Sequence, residues 1–400
     1  MKKEAHPAIH LLVSILSRIV AVAMRGVGLA RICVRRMARG RKRVMLYKSK
    51  FDLLGDMILM TGVVPHYRRL FPDATLEMVC NDVAVDLMQA ADVLDAVWPM
   101  SRLSRNGRPS WLNAGRSDVF ISLRRTVFPP DVKWMSRFMP VKAIGFSGDA
   151  LLHRIGKLPA CRKLLALDCE LPDDGGGSAL HELDVQRKML SMLGMDVPVE
   201  ALRPKIPESY VDHSVARELE KLYDLDGRPF YVCCPCGSQP IRSYPAERWR
   251  RVFAGLAPCV VALCATGSDW REMLALMAEP PEGVAFVNLA GQTRLAQLAG
   301  LLRRADAVLA VESGPMHMAV ALDRPLAAIC GRGHYGRFVP YPFAMPNARF
   351  LFADCEHSGC DWNCHAETAA CISQIDPAEV CDAVKEVVDA SPCKALNPES

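Results

Sequence analysis

The chain has 400 residues, 50% of them hydrophobic and 23% charged, with a formal net charge of +5. That length accommodates two or more domains of ~100–200 residues each, and the composition excludes wholesale disorder. Of 49 Lys and Arg residues, thirteen fall in residues 1–50, opposed nearby only by Glu4 and Asp52. So local an excess points to an anionic surface near the N-terminus and excludes a nucleic-acid groove running through the molecule. Sixteen cysteines form no secreted framework, and Cys233, Cys234, Cys259, Cys264 and Cys330 sit in apolar strand-like runs as small hydrophobes, which implies a reducing, cytoplasmic compartment.

Residues 8–34 are apolar but interrupted by Arg18, Arg25 and Arg31. An uncharged run of ~18 residues is missing, so a membrane span is not expected, nor does a signal-peptide cleavage pattern follow. The arginine spacing keeps the charges near one face of a helix. Residues 8–43 therefore read as a basic amphipathic helix on an anionic membrane, with a helix packed on the protein's own surface as the alternative.

An alternating β/α series begins at Val44–Tyr47. A helix over Leu54–Leu70 follows, with Pro65 as a kink, then a strand at Thr75–Cys80, a helix at Val83–Ala90 and a strand at Ala96–Trp98. Further strands are expected at Asp118–Leu123 and Lys142–Phe146, with basic, irregular loops from Ser101 and from Arg124. Pro172–Gly177 is a flexible break and His181–Leu193 a helix; the proline-bearing Asp196–Tyr210 reads as a linker. A second series starts at Phe230–Cys234 and runs through a helix at Ala246–Leu256, a strand at Val260–Ala265, a helix at Trp270–Met277, a strand at Val284–Leu289 and a helix at Leu295–Ala305. Strands at Val308–Val311 and Leu326–Cys330 flank a helix that ends near Leu322, and a last helix spans Pro377–Asp389. Strands alternating with helices in this way build parallel sheets covered on both faces. The expected domains are a basic segment 1–40, a Rossmann-like domain 41–195, a linker region 196–228, a second Rossmann-like domain 229–376 with a Cys-rich tail, and a terminal helix and tail 377–400.

The richest stretch is Glu312-Ser313-Gly314-Pro315-Met316-His317, between a buried strand and a helix. Ser313 suits an N-cap and Pro315 the first turn, so free backbone N–H groups and the helix dipole face an anion there. An ordinary βαβ unit with a capped helix would read the same way. The loop after Phe230–Cys234 adds Gly237 and Ser238 as donors and Arg242 as a planar cationic fork for phosphate oxygens. This loop is not a Walker A loop, since no G-x-x-x-x-G-K-[ST] occurs, and it lacks G-x-G-x-x-G, so nicotinamide dinucleotides are not indicated. Asp269 and Glu272, after the next strand, are candidates for a ribose. In the first series Gly55 allows close approach at a helix start, and Asp56 is placed to accept a proton from a hydroxyl, or alternatively to complement the helix dipole.

The Leu54-Gly55-Asp56 helix start, Phe71–Ala74, the helix beginning His181-Glu182 and the stretch ESGPMHMAVALDRP resemble glycosyltransferase family 9, whose best-known members are ADP-heptose:lipopolysaccharide heptosyltransferases. The resemblance runs over roughly Arg43 to Val388. It implies an α/β GT-B fold, two Rossmann-like domains facing a central cleft, with the acceptor on the first and a nucleotide sugar on the second. The catalytic base falls on Asp56, and donor binding on Gly237, Ser238, Arg242, Glu312, Ser313, Gly314 and His317. Glu312 stands where the family commonly has Asp, and Arg242 where it usually has Lys.

The expected activity is inverting, metal-independent transfer of a heptose or similar sugar from a nucleotide-diphosphate donor, such as ADP-heptose, to a lipopolysaccharide-type or other lipid-linked glycan. No cofactor and no catalytic metal are expected. The site would lie at the inner face of the bacterial inner membrane. A sugar-nucleotide epimerase of the same fold and a non-catalytic nucleotide-sugar or glycan-binding scaffold are the alternatives. Cys355, Cys360, Cys364 and Cys371 leave a structural zinc open against reduced thiols or a conditional disulfide.

Overall fold

The computed structural model describes residues 41–48, 53–101, 117–125, 142–146, 165–166, 180–225, 227–356, 358–360, 362–364 and 369–391. The basic segment 1–40 and most of the two irregular loops lie outside the described residues. The chain divides into two compact units, Met1–Asp52 with His66–Asp173, and Leu53–Pro65 with Asp174–Ser400.

The first unit holds a six-stranded sheet in the order β3-β2-β1-β4-β5-β6. Its strands are β1 (Arg43–Tyr47), β2 (Thr75–Cys80), β3 (Ala96–Pro99), β4 (Val119–Ser122), β5 (Lys142–Ile144) and β6 (Leu165–Ala166). All neighbours pair in parallel. Parallel strands are buried on both faces, which is why β1 and β4 read as nearly continuous apolar runs, while the buried Glu77 of β2 pairs with Arg43 at 2.7 Å. Arg68 ties the sheet edge together through Asp95 at 2.6 Å and the Val93 carbonyl at 3.0 Å.

The second sheet repeats the pattern as β12-β11-β10-β7-β8-β9. Its strands are β7 (Phe230–Cys234), β8 (Cys259–Leu263), β9 (Val284–Asn288), β10 (Ala307–Val311), β11 (Leu326–Ile329) and β12 (Ala348–Leu351), again all parallel. Counted from its own first strand, each sheet has the order 3-2-1-4-5-6. A doubly wound sheet in this order opens a crevice where the order reverses, outside the carboxyl ends of the first and fourth strands. In the second unit those strands are β7 and β10.

The division falls within helix α1 (Leu54–Leu70): its first twelve residues, Leu54–Pro65, belong with the second unit and the rest with the first. The division falls at Pro65, where the missing N–H removes a helical bond. The first part docks tightly, since a Cβ on Gly62 would lie 2.2 Å from the Leu202 carbonyl oxygen and Thr61 accepts the Lys205 N–H at 3.0 Å. After α2 (Val85–Ala90), helix α3 (Glu182–Met192) also sits in the second unit. The stretch expected as a linker carries a helix of its own, α4 (Ser214–Leu222), tied to α7 (Leu295–Arg304) by Arg304 to Glu220 at 2.5 Å. Helices α5 (Ala246–Leu256), α6 (Trp270–Met277), α8 (Gly314–Ala321) and α9 (Pro377–Asp389) complete the layers. The core between α5, α9 and the sheet centres on Trp249, Phe253, Val261, Leu309 and Val384. Among the described residues no helix is long and apolar enough to cross a membrane.

Candidate functional site

At the switch point of the second sheet, β7 delivers Gly237, Ser238 and Arg242, and β10 delivers Glu312 through His317. Strand β10 pairs directly with β7, Ala310 opposite Cys234, so the two loops leave the sheet side by side. Arg242 closes a 3-10 turn, Pro240–Arg242, and its guanidinium lies over the Trp362 ring, 4.3 Å from the centroid. A Cβ on Gly237 would fall 2.7 Å from Arg242 Cβ, so glycine is required where the loop folds back on that stem. Ser238 is exposed at the rim.

Glu312 is 3% exposed and accepts the Gly331 N–H, while its Oε2 has no hydrogen-bond partner among the described residues. Burial pushes this carboxyl up to about 7, against the opposing pull of the Arg242 and Arg337 charges. Near neutral pH the group is thus divided between a proton donor and an anion.

Ser313 occupies the N-cap position of α8 with extended backbone, as its type predicts, and Pro315 is in the first turn. The hydroxyl does not cap the helix; it donates instead to the Val311 carbonyl at 2.9 Å. The first turn of α8 carries neither an acid nor a side-chain cap, so its N–H groups are left for another acceptor.

His317 is 4% exposed, and burial together with the His181 ring pushes it down to about 3, so the imidazole is neutral. Its Nδ1 shares a 2.5 Å hydrogen bond with the Tyr341 hydroxyl, and Phe338 packs edge-on at 6.0 Å. The other edge of the ring meets α1: a Cβ on Gly55 would be 2.6 Å from Cδ2 and 3.0 Å from Nε2. The contact is reciprocal, because a Cβ on Gly314 would be 2.7 Å from Leu54 Cδ2. Asp56, half-buried and one residue beyond Gly55, accepts the Leu53 N–H through Oδ2 at 3.1 Å. The fold therefore brings Asp56, Ser313, Gly314 and His317 to one helix meeting, with Glu312 leading back to Arg242.

His181 and Glu182, singled out in the sequence only as a helix start, also reach the site. His181 caps α3 by accepting the Leu183 N–H at 3.1 Å, and its other nitrogen donates to the Phe338 carbonyl at 2.9 Å. Buried Glu182 faces Arg337 at 3.7 Å, so Arg337 lies between two buried carboxylates, Glu182 and Glu312. Tyr341, Arg337 and Trp362 join the site only through the fold. The ribose candidate Asp269 is committed elsewhere: it closes a capping box, accepting the Thr266 N–H at 3.1 Å and its hydroxyl at 2.6 Å. Cys360 and Cys364 lie 3.7 Å apart, and Cys371 accepts the Arg332 N–H at 3.3 Å. Among the described residues no group of three or more His, Cys, Asp or Glu side chains is placed to hold a metal ion.

Residues 178–357, which carry both donor loops, match the model of glycosyltransferase family 9 (heptosyltransferase). Lipooligosaccharide heptosyltransferase 2 of Haemophilus influenzae is 35% identical over 221 residues, 51% of this chain and 59% of that protein. The curated relatives it matches are spanned over 31% to 59% of their length. Among solved structures, the glycosyl transferase family 9 protein of Veillonella parvula is similar with a TM-score of 0.66 at 19% identity, covering 89% of this chain and 99% of that one. The E. coli ADP-heptose LPS heptosyltransferase II is similar with a TM-score of 0.60 at 17% identity, covering 87% and 98%. The fold is therefore GT-B, built from two Rossmann-like parallel sheets.

Proposed function

We propose that the chain is an inverting glycosyltransferase that moves a heptose or similar sugar from a nucleotide diphosphate to a lipopolysaccharide-type acceptor. The observation that carries this reading is the pairing, at one switch point, of an arginine-bearing loop with an uncapped helix N-terminus. Such a pair suits a diphosphate, and the E. coli relative named for ADP-heptose supports an ADP-sugar as the donor. The acceptor hydroxyl gives its proton to Asp56 as its oxygen attacks the anomeric carbon. The bond from that carbon to the phosphate oxygen breaks on the opposite face, which inverts the configuration.

Negative charge then grows on the departing diphosphate, where Arg242 and the N–H groups at Ser313–Gly314 stabilise it without a metal ion. Neutral His317 adds a ring without a competing charge, held in place by Tyr341 and Gly55. The basic residues 8–43 would keep the enzyme on an anionic membrane at the inner face of the inner membrane, beside a lipid-linked acceptor.

The test is incubation of the full chain with ADP-heptose and a heptose-deficient lipopolysaccharide acceptor, following ADP release and the anomeric configuration of the product by NMR. Release of ADP with inverted product supports the reading. Free sugar released without transfer to the acceptor favours an epimerase-like or hydrolytic activity, and no turnover favours a scaffold.

A further inference from the structure

We infer that Trp362 is a positioning residue for Arg242, fixing the cation that meets the donor diphosphate. This rests on the reading of Arg242 as a diphosphate ligand. The indole lies under the guanidinium at 4.3 Å from its centroid. A guanidinium over a ring uses its face, so the ring does not consume the in-plane N–H donors that suit phosphate oxygens. The Arg242 stem also packs against Gly237, where a Cβ would come 2.7 Å from Arg242 Cβ. Glycine at the stem and indole at the head thus both restrict the side chain, which would otherwise lose rotamer freedom only when the donor arrives.

The indole is itself held firmly. Its Nε1–H donates to His334 Nδ1 at 3.1 Å, and the ring is 7% exposed. Gly331 and Gly333 make the slot: a Cβ at Gly331 would lie 2.1 Å from Trp362 Cη2, and one at Gly333 2.7 Å from Cδ2. Trp362 adopts φ 61, a left-handed conformation rare for a bulky residue and maintained only where the surroundings insist on it. Gly331 also donates its N–H to Glu312, so one turn after β11 serves both the indole and the carboxylate beside Arg242. Core filling alone explains a buried tryptophan; it does not predict dependence on Arg242.

A double-mutant cycle separates the two. The dissociation constants of ADP and of inorganic pyrophosphate are measured by calorimetry for the full-length wild type, Arg242→Ala, Trp362→Leu, Trp362→Phe and the Arg242→Ala/Trp362→Leu pair. Trp362→Leu should weaken both probes by the same roughly 3- to 10-fold, a cation–π contribution, with Trp362→Phe recovering part of the loss. In the Arg242→Ala background Trp362→Leu should change nothing further. Equal weakening by Trp362→Leu with and without Arg242, or no weakening at all, overturns the inference. If Trp362→Leu does not fold, Trp362→Phe alone and in the Arg242→Ala background carries the same comparison. Should Arg242→Ala leave both affinities unchanged, or the wild type bind neither probe, the diphosphate reading beneath the inference fails first.

Discussion

The starts of α1 and α8 meet, yet they are prepared for opposite charges. Each carries a glycine in its first turn against which a side chain of the other rests, Gly55 against His317 and Gly314 against Leu54. At α1 the first turn carries Asp56, whose Oδ2 already accepts the Leu53 N–H, so this helix end supplies a carboxylate to its surroundings. At α8 the first turn carries no charged side chain, and the Ser313 hydroxyl turns back to Val311, so this end supplies bare N–H groups and positive dipole. Backbone geometry alone does not decide what a helix N-terminus binds. Its first-turn side chains do.

The largest effect is expected from removing the charge that separates the two ends. Asp56→Asn keeps an acceptor oxygen for the Leu53 N–H but loses the base. Transfer should fall by roughly 10²- to 10⁴-fold while ADP affinity holds, read by kcat against calorimetry. Next comes the meeting itself. Gly55→Ala pushes a methyl into His317, an overpacking of ~1–3 kcal/mol that should lower the melting temperature by roughly 3–10 °C and slow transfer as well.

Glu312→Gln sharpens the electrostatic side. The folded carboxyl at about 7 stands above its ordinary value of 4.5, so its contribution to stability is full below 4.5 and lost as pH rises through about 7. The Gln variant should therefore show a flatter stability profile across that window, measured by denaturant titration at several pH values; an unchanged profile would mean Glu312 is not the titrating group. The smallest effect belongs to Ser313→Ala. With the hydroxyl bonded to Val311 and not to the helix, the variant should lose only about 1 kcal/mol and keep ADP affinity within roughly threefold, whereas a real cap or a direct hydroxyl–phosphate contact would show a larger loss of binding.

Both sheets were legible because buried parallel strands leave continuous apolar runs such as Val308–Val311, broken by Gly and Pro at each end. Strand β12 escaped because Ala348–Leu351 is short, lies at the sheet edge and includes half-buried Arg349. Helix α4 escaped because the prolines before it suggested a linker that the amphipathic Ser214–Leu222 then contradicts. In the site, residues within one loop were readable together, Glu312 with His317 and Gly237 with Arg242. Contacts across the fold were not: nothing local links Arg242 to Trp362, His317 to Tyr341 and Gly55, or Arg337 to Glu182. The division of α1 at Pro65 was equally hidden, since a proline marks a weak point in a helix without saying which neighbour each half joins.

In the proposed reaction one helix start supplies the base while the neighbouring loops hold the diphosphate. Steady-state transfer from ADP-heptose by Asp56→Asn and Arg242→Ala tests it most directly. Asp56→Asn is expected to lose kcat with the donor KM nearly unchanged, and Arg242→Ala to raise the donor KM. The same loss of donor affinity in both variants, or full kcat in Asp56→Asn, would contradict it.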